Sequence, residues 1–218
     1  MTNKDICIDA IFDELFQICR SITGDGIRQS LEILQRYMPL VMKSVRTGTR
    51  VFDWEVPPEW KLNRATLKGP DGGIVLDTHV CNLHVLNFSE PFRGTVTLEE
   101  LQNHLYSMPE LPSAIPYVTS YYKRRWGFCL SEEQRKTLKD GNYEVSIDTE
   151  IKDGNLNYAT CDLHGETDET ILLSTYLCHP SLGNNELSGP LALLLLYEKL
   201  QRLARRRYSY KFLIIPET

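Results

Sequence analysis

The sequence predicts an α/β fold, in which helices cover both faces of a mixed sheet and a small β-rich domain is inserted. The main observation is an apolar strand, a helix and a second apolar strand at residues 171–177, 187–203 and 210–215. A strand–helix–strand unit with continuous apolar strands is typical of a sheet that is buried on both faces. A helical pair at the N-terminus and a middle section of short alternating segments complete the prediction.

The N-terminal section, residues 1–48, is assigned to helices of the core. Apolar residues recur at helical spacing over residues 8–19, and the segment Thr23-Gly24-Asp25-Gly26 then interrupts the pattern. Thr23 or Asp25 is expected to cap a second helix, which ends before Pro39.

The middle section, residues 49–130, is assigned to an inserted β-rich domain. Thr97 and Glu100 form a capping box that predicts a short helix. In this section and just before it, turns rich in proline and glycine separate short segments of alternating apolar and polar residues. These segments predict strands at residues 43–45, 49–56, 64–68, 73–77 and 83–88.

The last section, residues 131–218, is assigned to the first part of the α/β core. Residues 143–151 and 156–163 alternate in polarity, and the turn at 152–154 between them predicts an antiparallel pair. The sequence ends directly after an apolar strand with Pro216-Glu217-Thr218. We expect the sequence to be truncated at its C-terminus, with a native end as the alternative.

Composition excludes several classes of protein. The 218 residues carry a net charge of −5, so no overall basic field attracts nucleic acid or an anionic membrane. We expect no signal peptide before the helices, and no apolar run approaches the roughly 20 residues of a membrane span. We therefore expect a cytoplasmic protein, in which the six cysteines are free thiols and form no zinc knuckle.

Two candidate chemical groups follow the two apolar strands. His179 comes two residues after the strand at 171–177, and Glu217 comes two residues after the strand at 210–215. The carboxyl ends of parallel strands meet at one edge of a sheet, so both side chains would open into one crevice. An imidazole and a carboxylate there suit a zinc ligand and a general base. From spacing alone, a hydrogen-bonded loop histidine and a surface glutamate remain the equal alternative.

The loop between His179 and the helix offers further groups. Asn185 is a poor zinc ligand, because a neutral amide oxygen donates less than a carboxylate. Glu186 could replace it or could stabilise the helix N-terminus, and Gly189 is expected to let the helix approach the sheet. Cys178 beside His179 suggests a cysteine hydrolase, but adjacent residues of an extended segment point in opposite directions, which argues against a dyad.

Many separated blocks of the sequence resemble a bacterial aminopeptidase-like family of unknown function. Its members occur in polysaccharide-biosynthesis gene clusters and are related to zinc aminopeptidases and glutaminyl cyclases. The blocks that carry the resemblance are Arg20-Ser21-Ile22-Thr23-Gly24, Phe52-Asp53-Trp54-Glu55-Val56-Pro57, Asn82-Leu83-His84-Val85, Ile115-Pro116-Tyr117-Val118-Thr119-Ser120-Tyr121-Tyr122, Trp126-Gly127-Phe128-Cys129, Cys178-His179-Pro180-Ser181 and Pro216-Glu217-Thr218.

The resemblance implies a zinc-aminopeptidase-like fold and roles for three residues. His179 occupies the position of a metal ligand, and Glu217 that of the general base. Asn185 stands where an aspartate normally binds or bridges the metal, and Thr218 stands where two-metal enzymes have a second glutamate. The implied cofactor is zinc, held by His179 and, in a departure from the pattern, Asn185.

The function that we expect is a zinc-dependent, aminopeptidase-like hydrolase of amide or peptide bonds, in an incomplete or impaired form. The alternatives are a non-catalytic binding or assembly module on the same fold and a zinc-dependent acyl transferase of the cyclase kind. The expected substrate is a peptide or an amide-containing small molecule. Neither nucleic acid nor a membrane is an expected partner, and homo-oligomerisation stays open.

Overall fold

The computed structural model describes residues 6–217. The α-helices within them are Ile8–Phe16 (α1), Asp25–Gln35 (α2), Leu98–Gln102 (α3), Glu132–Lys136 (α4) and Ser188–Gln201 (α5). The strands are Val41–Arg46 (β1), Arg50–Val51 (β2), Trp54–Glu55 (β3), Glu59–Lys68 (β4), Ile74–Asp77 (β5), Phe92–Thr97 (β6), Leu105–Tyr106 (β7), Phe128–Cys129 (β8), Asn142–Lys152 (β9), Asn155–Leu163 (β10), Thr170–Tyr176 (β11) and Ser209–Ile215 (β12). A 3₁₀-helix at Asn82–His84 and a π-helix at Gly183–Leu187 complete the regular elements.

The chain divides into two compact units. The first combines the chain up to Glu59 with the chain from Asp153 onward, and the second is Trp60–Lys152. The bounds of the inserted β-rich domain, residues 49–130, stay a prediction. Because β9 pairs with β6, residues 142–152 lie in the second unit, whereas the hairpin of β2 and β3 lies in the first.

The first unit contains a mixed sheet in the order β1-β10-β12-β11. The pairs β1–β10 and β10–β12 are antiparallel, whereas β11 and β12 are parallel and are joined through α5. The predicted strand–helix–strand unit is therefore confirmed. Helix α2 contacts β10, and helix α5 contacts β11, so the sheet carries helices from both ends of the chain.

Close packing of α5 on the sheet depends on Gly189. A Cβ atom at this position would collide with Oγ1 of Thr175 in β11. The predicted role of Gly189 in a close approach is thus confirmed. Further along α5, the ring of Tyr197 packs edge-on against Phe212 of β12, with 5.6 Å between centroids.

Helix α2 begins without a side-chain cap, so the expected cap at Thr23 or Asp25 is wrong. The N-cap residue is Gly24 at φ 103°, and the Thr23 hydroxyl instead donates to the carbonyl of Pro58 at 2.8 Å. A side chain at Gly26 would collide with the carbonyl oxygen of Cys19. Glycine therefore lets the first turn of α2 lie directly against the segment that leads into Arg20.

The second unit contains a four-stranded sheet in the order β5-β4-β9-β6. Alternate residues of β9 are buried, including Tyr143, Val145 and Ile147. The Thr97–Glu100 capping box is confirmed, because both of its reciprocal hydrogen bonds are present. The strand predicted at residues 83–88 is wrong: a 3₁₀-helix begins there, and β6 was missed.

The antiparallel pair predicted for residues 143–151 and 156–163 is also wrong. Both strands exist, as β9 and β10, but β9 pairs with β6 while β10 pairs with β1 and β12. Alternating polarity shows that a strand is half-buried without identifying its partner. The predicted turn at residues 152–154 lies at the division between the two units.

No helix in the described part of the chain is both long and apolar enough to cross a membrane. All six cysteines are free thiols, as predicted, and Cys129, Cys161 and Cys178 are buried.

Candidate active site

Two parallel strands bring His179 and Glu217 together. Residues Tyr176 and Ile215 are paired at the ends of β11 and β12, and the amide of Leu177 extends the ladder by donating to the carbonyl of Ile215 at 2.8 Å. Beyond this point, Nε2 of His179 lies 3.2 Å from Oε2 of Glu217. The imidazole is buried, whereas the Glu217 side chain is 55% exposed, so the carboxylate forms the open side of the site.

The opposite ring nitrogen of His179 faces the π-helix. Nδ1 lies 3.0 Å from Oδ1 of Asn185 and 3.2 Å from Oε2 of Glu186. These two consecutive residues both reach the ring from the Gly183–Leu187 segment, and π-turns of this kind are frequent at functional sites. The structure thus places Asn185 at Nδ1 and Glu217 at Nε2.

The carboxylate of Glu186 is fully buried and has two further polar neighbours. The backbone amide of Cys178 donates a hydrogen bond to its Oε1, and Nε of Arg20 lies 3.7 Å from the same oxygen. Arg20 is itself completely buried. Arg20 is not recognisable as a site residue from the sequence, because it follows a predicted helix and matches no chemical motif by itself.

The surrounding groups favour a charged imidazole. Burial opposes the charge on His179, but hydrogen bonds to Cys178 and Glu186 outweigh it and raise the pKa of the ring to about 10. Without a metal, the ring is therefore protonated at neutral pH and interacts with acceptors at both nitrogens. A metal ion that binds the ring must displace one of these protons.

Cys178 lies closer to His179 than the alternation rule allowed. Both residues lie beyond the end of β11, and the thiol, an imidazole nitrogen and a Glu186 oxygen all lie within 4.8 Å of one another. The two side chains therefore do not point apart, and the expectation from strand alternation is wrong. The thiol nevertheless accepts a hydrogen bond from the Glu217 amide at 3.3 Å, and burial raises the pKa of Cys178. A protonated, buried thiol is a poor nucleophile.

The side chains offer zinc two donor sets that share His179. The inner set adds Cys178 and Glu186, and the outer set adds Glu217. The inner set is the poorer fit, because the buried Glu186 carboxylate already faces the Arg20 guanidinium, which lies 3.7 Å away. The outer set fits better, because it pairs a potential zinc ligand, His179, with an exposed carboxylate, Glu217, that can accept a proton.

Comparisons with known proteins identify the fold. Residues 9–218 match the family described as domain of unknown function DUF4910. A Clostridium acetobutylicum protein, provisionally named a polysaccharide biosynthesis protein with an aminopeptidase-like domain, is 44% identical over 208 residues, which cover 95% of this chain and 48% of the relative. A crystal structure from the same organism, provisionally named a peptidase, superposes with a TM-score of 0.92 at 44% identity and covers 96% of this chain and 49% of its own.

More distant solved structures share the fold alone. A zinc aminopeptidase from Bacillus subtilis has a TM-score of 0.55 at 10% identity, over 94% of this chain and 60% of its own. A peptidase M28 precursor from Shewanella amazonensis has a TM-score of 0.52 at 11% identity, over 94% of this chain and 62% of its own. The aminopeptidase-like fold implied by the resemblance is thus confirmed, and the chain spans about half the length of the first relatives, at 48% and 49%.

Proposed function

Since the chain belongs to the DUF4910 family and has an aminopeptidase-like fold, we propose that the protein is a zinc-dependent hydrolase of peptide or other amide bonds. The observation that carries this proposal is the 3.2 Å separation between Nε2 of His179 and Oε2 of Glu217 at the carboxyl ends of two parallel strands. Ligands and catalytic groups of open α/β sheets lie at this edge.

The two residues take complementary roles. His179 binds the metal through Nε2, and the exposed carboxylate of Glu217 accepts the proton of the attacking water. Zinc, when bound, supplies a Lewis acid that polarises the amide carbonyl and lowers the pKa of water. Because the chain spans about half of its relatives' length, hydrolysis by the whole protein is part of this proposal.

The charge balance of the site supports a second candidate, a non-catalytic binding or assembly module. Two cations, Arg20 and protonated His179, face two carboxylates, Glu186 and Glu217, so the group is neutral without a metal. Asn185 adds no charge where the zinc aminopeptidases are expected to have an aspartate. A module of this kind would keep the fold and the hydrogen bonds of the site and would bind no zinc.

Zinc titration by calorimetry, combined with hydrolysis of aminoacyl p-nitroanilides, separates the two candidates. For the hydrolase, the chain binds zinc, His179→Ala abolishes binding, and Glu217→Gln removes any hydrolysis while retaining some binding. Glu166→Gln is a matched control, because Glu166 forms an exposed ion pair with Arg205 in the same unit. Absence of zinc binding by the wild-type chain would contradict the hydrolase and favour the module.

A further inference from the structure

Glu186 is a buried carboxylate whose two oxygens face different groups. Oε1 accepts the hydrogen bond from the Cys178 amide and lies 3.7 Å from Nε of Arg20. Oε2 points to the ring of His179, at 3.2 Å from Nδ1. A buried charge is costly unless it is paired, so Glu186 requires both the cation behind it and the ring in front of it.

Arg20 fixes the back of this arrangement. Its Nη1 donates to the carbonyl of Leu15 at 2.7 Å and to the hydroxyl of Ser30 at 3.2 Å, which anchors the guanidinium to α1 and α2. Its Nε donates to the backbone carbonyl of His179 at 3.0 Å. One planar guanidinium therefore holds both the main chain of His179 and the carboxylate that faces the His179 ring.

The direction of the ring follows from these contacts. Acceptor oxygens of Asn185 and Glu186 both face Nδ1, so this nitrogen carries a proton. Nε2 faces the exposed Glu217 carboxylate, so a metal that binds the ring would displace the proton of Nε2, while the buried acceptors keep the proton of Nδ1. Metal-binding histidines commonly donate their second nitrogen to a carboxylate in this way.

We infer that Glu186, anchored by Arg20, is a positioning residue that orients His179 through Nδ1 and so presents Nε2 at the open edge of the sheet. This inference rests on the proposed function for the identity of the metal and adds two positioning residues to it. Glu186 is then no metal ligand, since a second cation beside Oε1 would meet the Arg20 guanidinium.

The testing variant is Glu186→Gln, which preserves size and removes charge. The Cys178 amide and the Arg20 guanidinium hold the new carbonyl oxygen at the place of Oε1, so the new NH₂ group faces Nδ1 of His179. Two donors then meet at that contact, so Nδ1 keeps the Asn185 oxygen as its acceptor and loses the carboxylate oxygen. We expect zinc affinity to fall about 10- to 100-fold, the size typical of lost carboxylate support for a metal-binding histidine.

A spectroscopic readout in the metal-free chain keeps this test independent of zinc. In ¹⁵N-histidine-labelled protein, assigned with His179→Ala, we expect a slowly exchanging Nδ1–H of His179 in the wild type and faster exchange of this proton in Glu186→Gln. The control Glu166→Gln should match the wild type in both readouts. If Glu186→Gln does not fold, the wild-type spectrum alone decides, because absence of a protected Nδ1–H would overturn the inference.

Two further outcomes also count against it. The positioning role is refuted if Glu186→Gln keeps both the slow exchange of the Nδ1 proton and the zinc affinity of the wild type, or if a zinc-bound structure has a Glu186 oxygen on the ion. A wild-type chain that binds no zinc but has the protected Nδ1–H would refute the proposed function and leave the positioning role supported.

Discussion

Two groups of charged side chains in the same compact unit are built in different ways. One is the strand-edge cluster of Arg20, His179, Glu186 and Glu217. The other is the Arg28–Glu59 pair, in which Nη1 and Nη2 of Arg28 lie 2.8 and 2.9 Å from the two carboxylate oxygens of Glu59. Arg28 also donates to Asn157 at 3.0 Å, and the Asn155 amide donates to Glu59 at 2.7 Å.

The difference separates a structural ion pair from a cluster for which we propose a function. The Arg28–Glu59 pair is bidentate, so its hydrogen bonds compensate for much of the water that the charges lose. In the strand-edge cluster, the closest charged atoms of Arg20 and Glu186 are 3.7 Å apart, and each ring nitrogen of His179 faces a carboxylate at 3.2 Å. Ion pairs at these longer distances contribute little to the free energy of unfolding. They suit an imidazole that must exchange a proton for a metal.

The largest expected effect is that of Arg20→Met on stability. The change leaves the fully buried Glu186 carboxylate without its cation, and breaking a buried pair in this way costs about 3–5 kcal/mol. Urea unfolding of both chains measures it. The comparison would be wrong if Arg20→Met cost no more than Arg28→Met, in which the partner Glu59 retains the Asn155 amide.

A smaller effect is expected for Glu59→Gln, together with a change in pH dependence. Hydrogen bonds to charged groups contribute about 1.5–3 kcal/mol, and the bond from Arg28 lowers the pKa of Glu59. A carboxylate whose pKa is lowered in the folded state stabilises the protein at pH values above its unfolded-state pKa of about 4.3. This stabilisation is lost as the pH falls through the folded-state pKa. Urea midpoints measured from neutral to acidic pH should therefore fall less steeply for Glu59→Gln than for the wild type.

Glu217→Gln should leave stability almost unchanged. Its side chain is 55% exposed, and substitutions of exposed groups usually change the free energy of unfolding by no more than about 0.5 kcal/mol. The same variant should lose amide hydrolysis if Glu217 is the general base. A large loss of stability in urea unfolding would assign Glu217 to a structural role like that of Glu59.

The smallest effect is expected for Asn185→Asp on zinc affinity. Oδ1 of Asn185 faces Nδ1 of His179, which is not the nitrogen that we assign to the metal. The aspartate should therefore change the affinity less than Glu186→Gln does, as measured by the same calorimetric titration. A gain larger than the loss in Glu186→Gln would instead mean that residue 185 binds the ion.

The part of the site that could be predicted from the sequence is the part that two strands determine. Continuous apolar strands around a helix predicted the parallel pair of β11 and β12, and this pair brings His179 and Glu217 to one edge. Arg20 could not be found in this way, because its bond to the His179 carbonyl joins positions 159 residues apart. Local patterns carry no information about contacts at that separation.

The errors in strand pairing have the same origin. Alternating apolar and polar residues predicted β9 and β10 as strands correctly. Their pairing was predicted incorrectly, because this alternation is the same whichever strand lies alongside. The close approach at Gly189 could be predicted, because a small residue at the start of an apolar helix is a local sequence feature that indicates close packing.

The most direct measurement of the central claim is a crystal structure of this chain grown with zinc. We predict an ion bound to Nε2 of His179 on the side of Glu217, with Glu186 still facing Nδ1. An ion bound by Cys178 and Glu186, or no ion at this edge of the sheet, would contradict it.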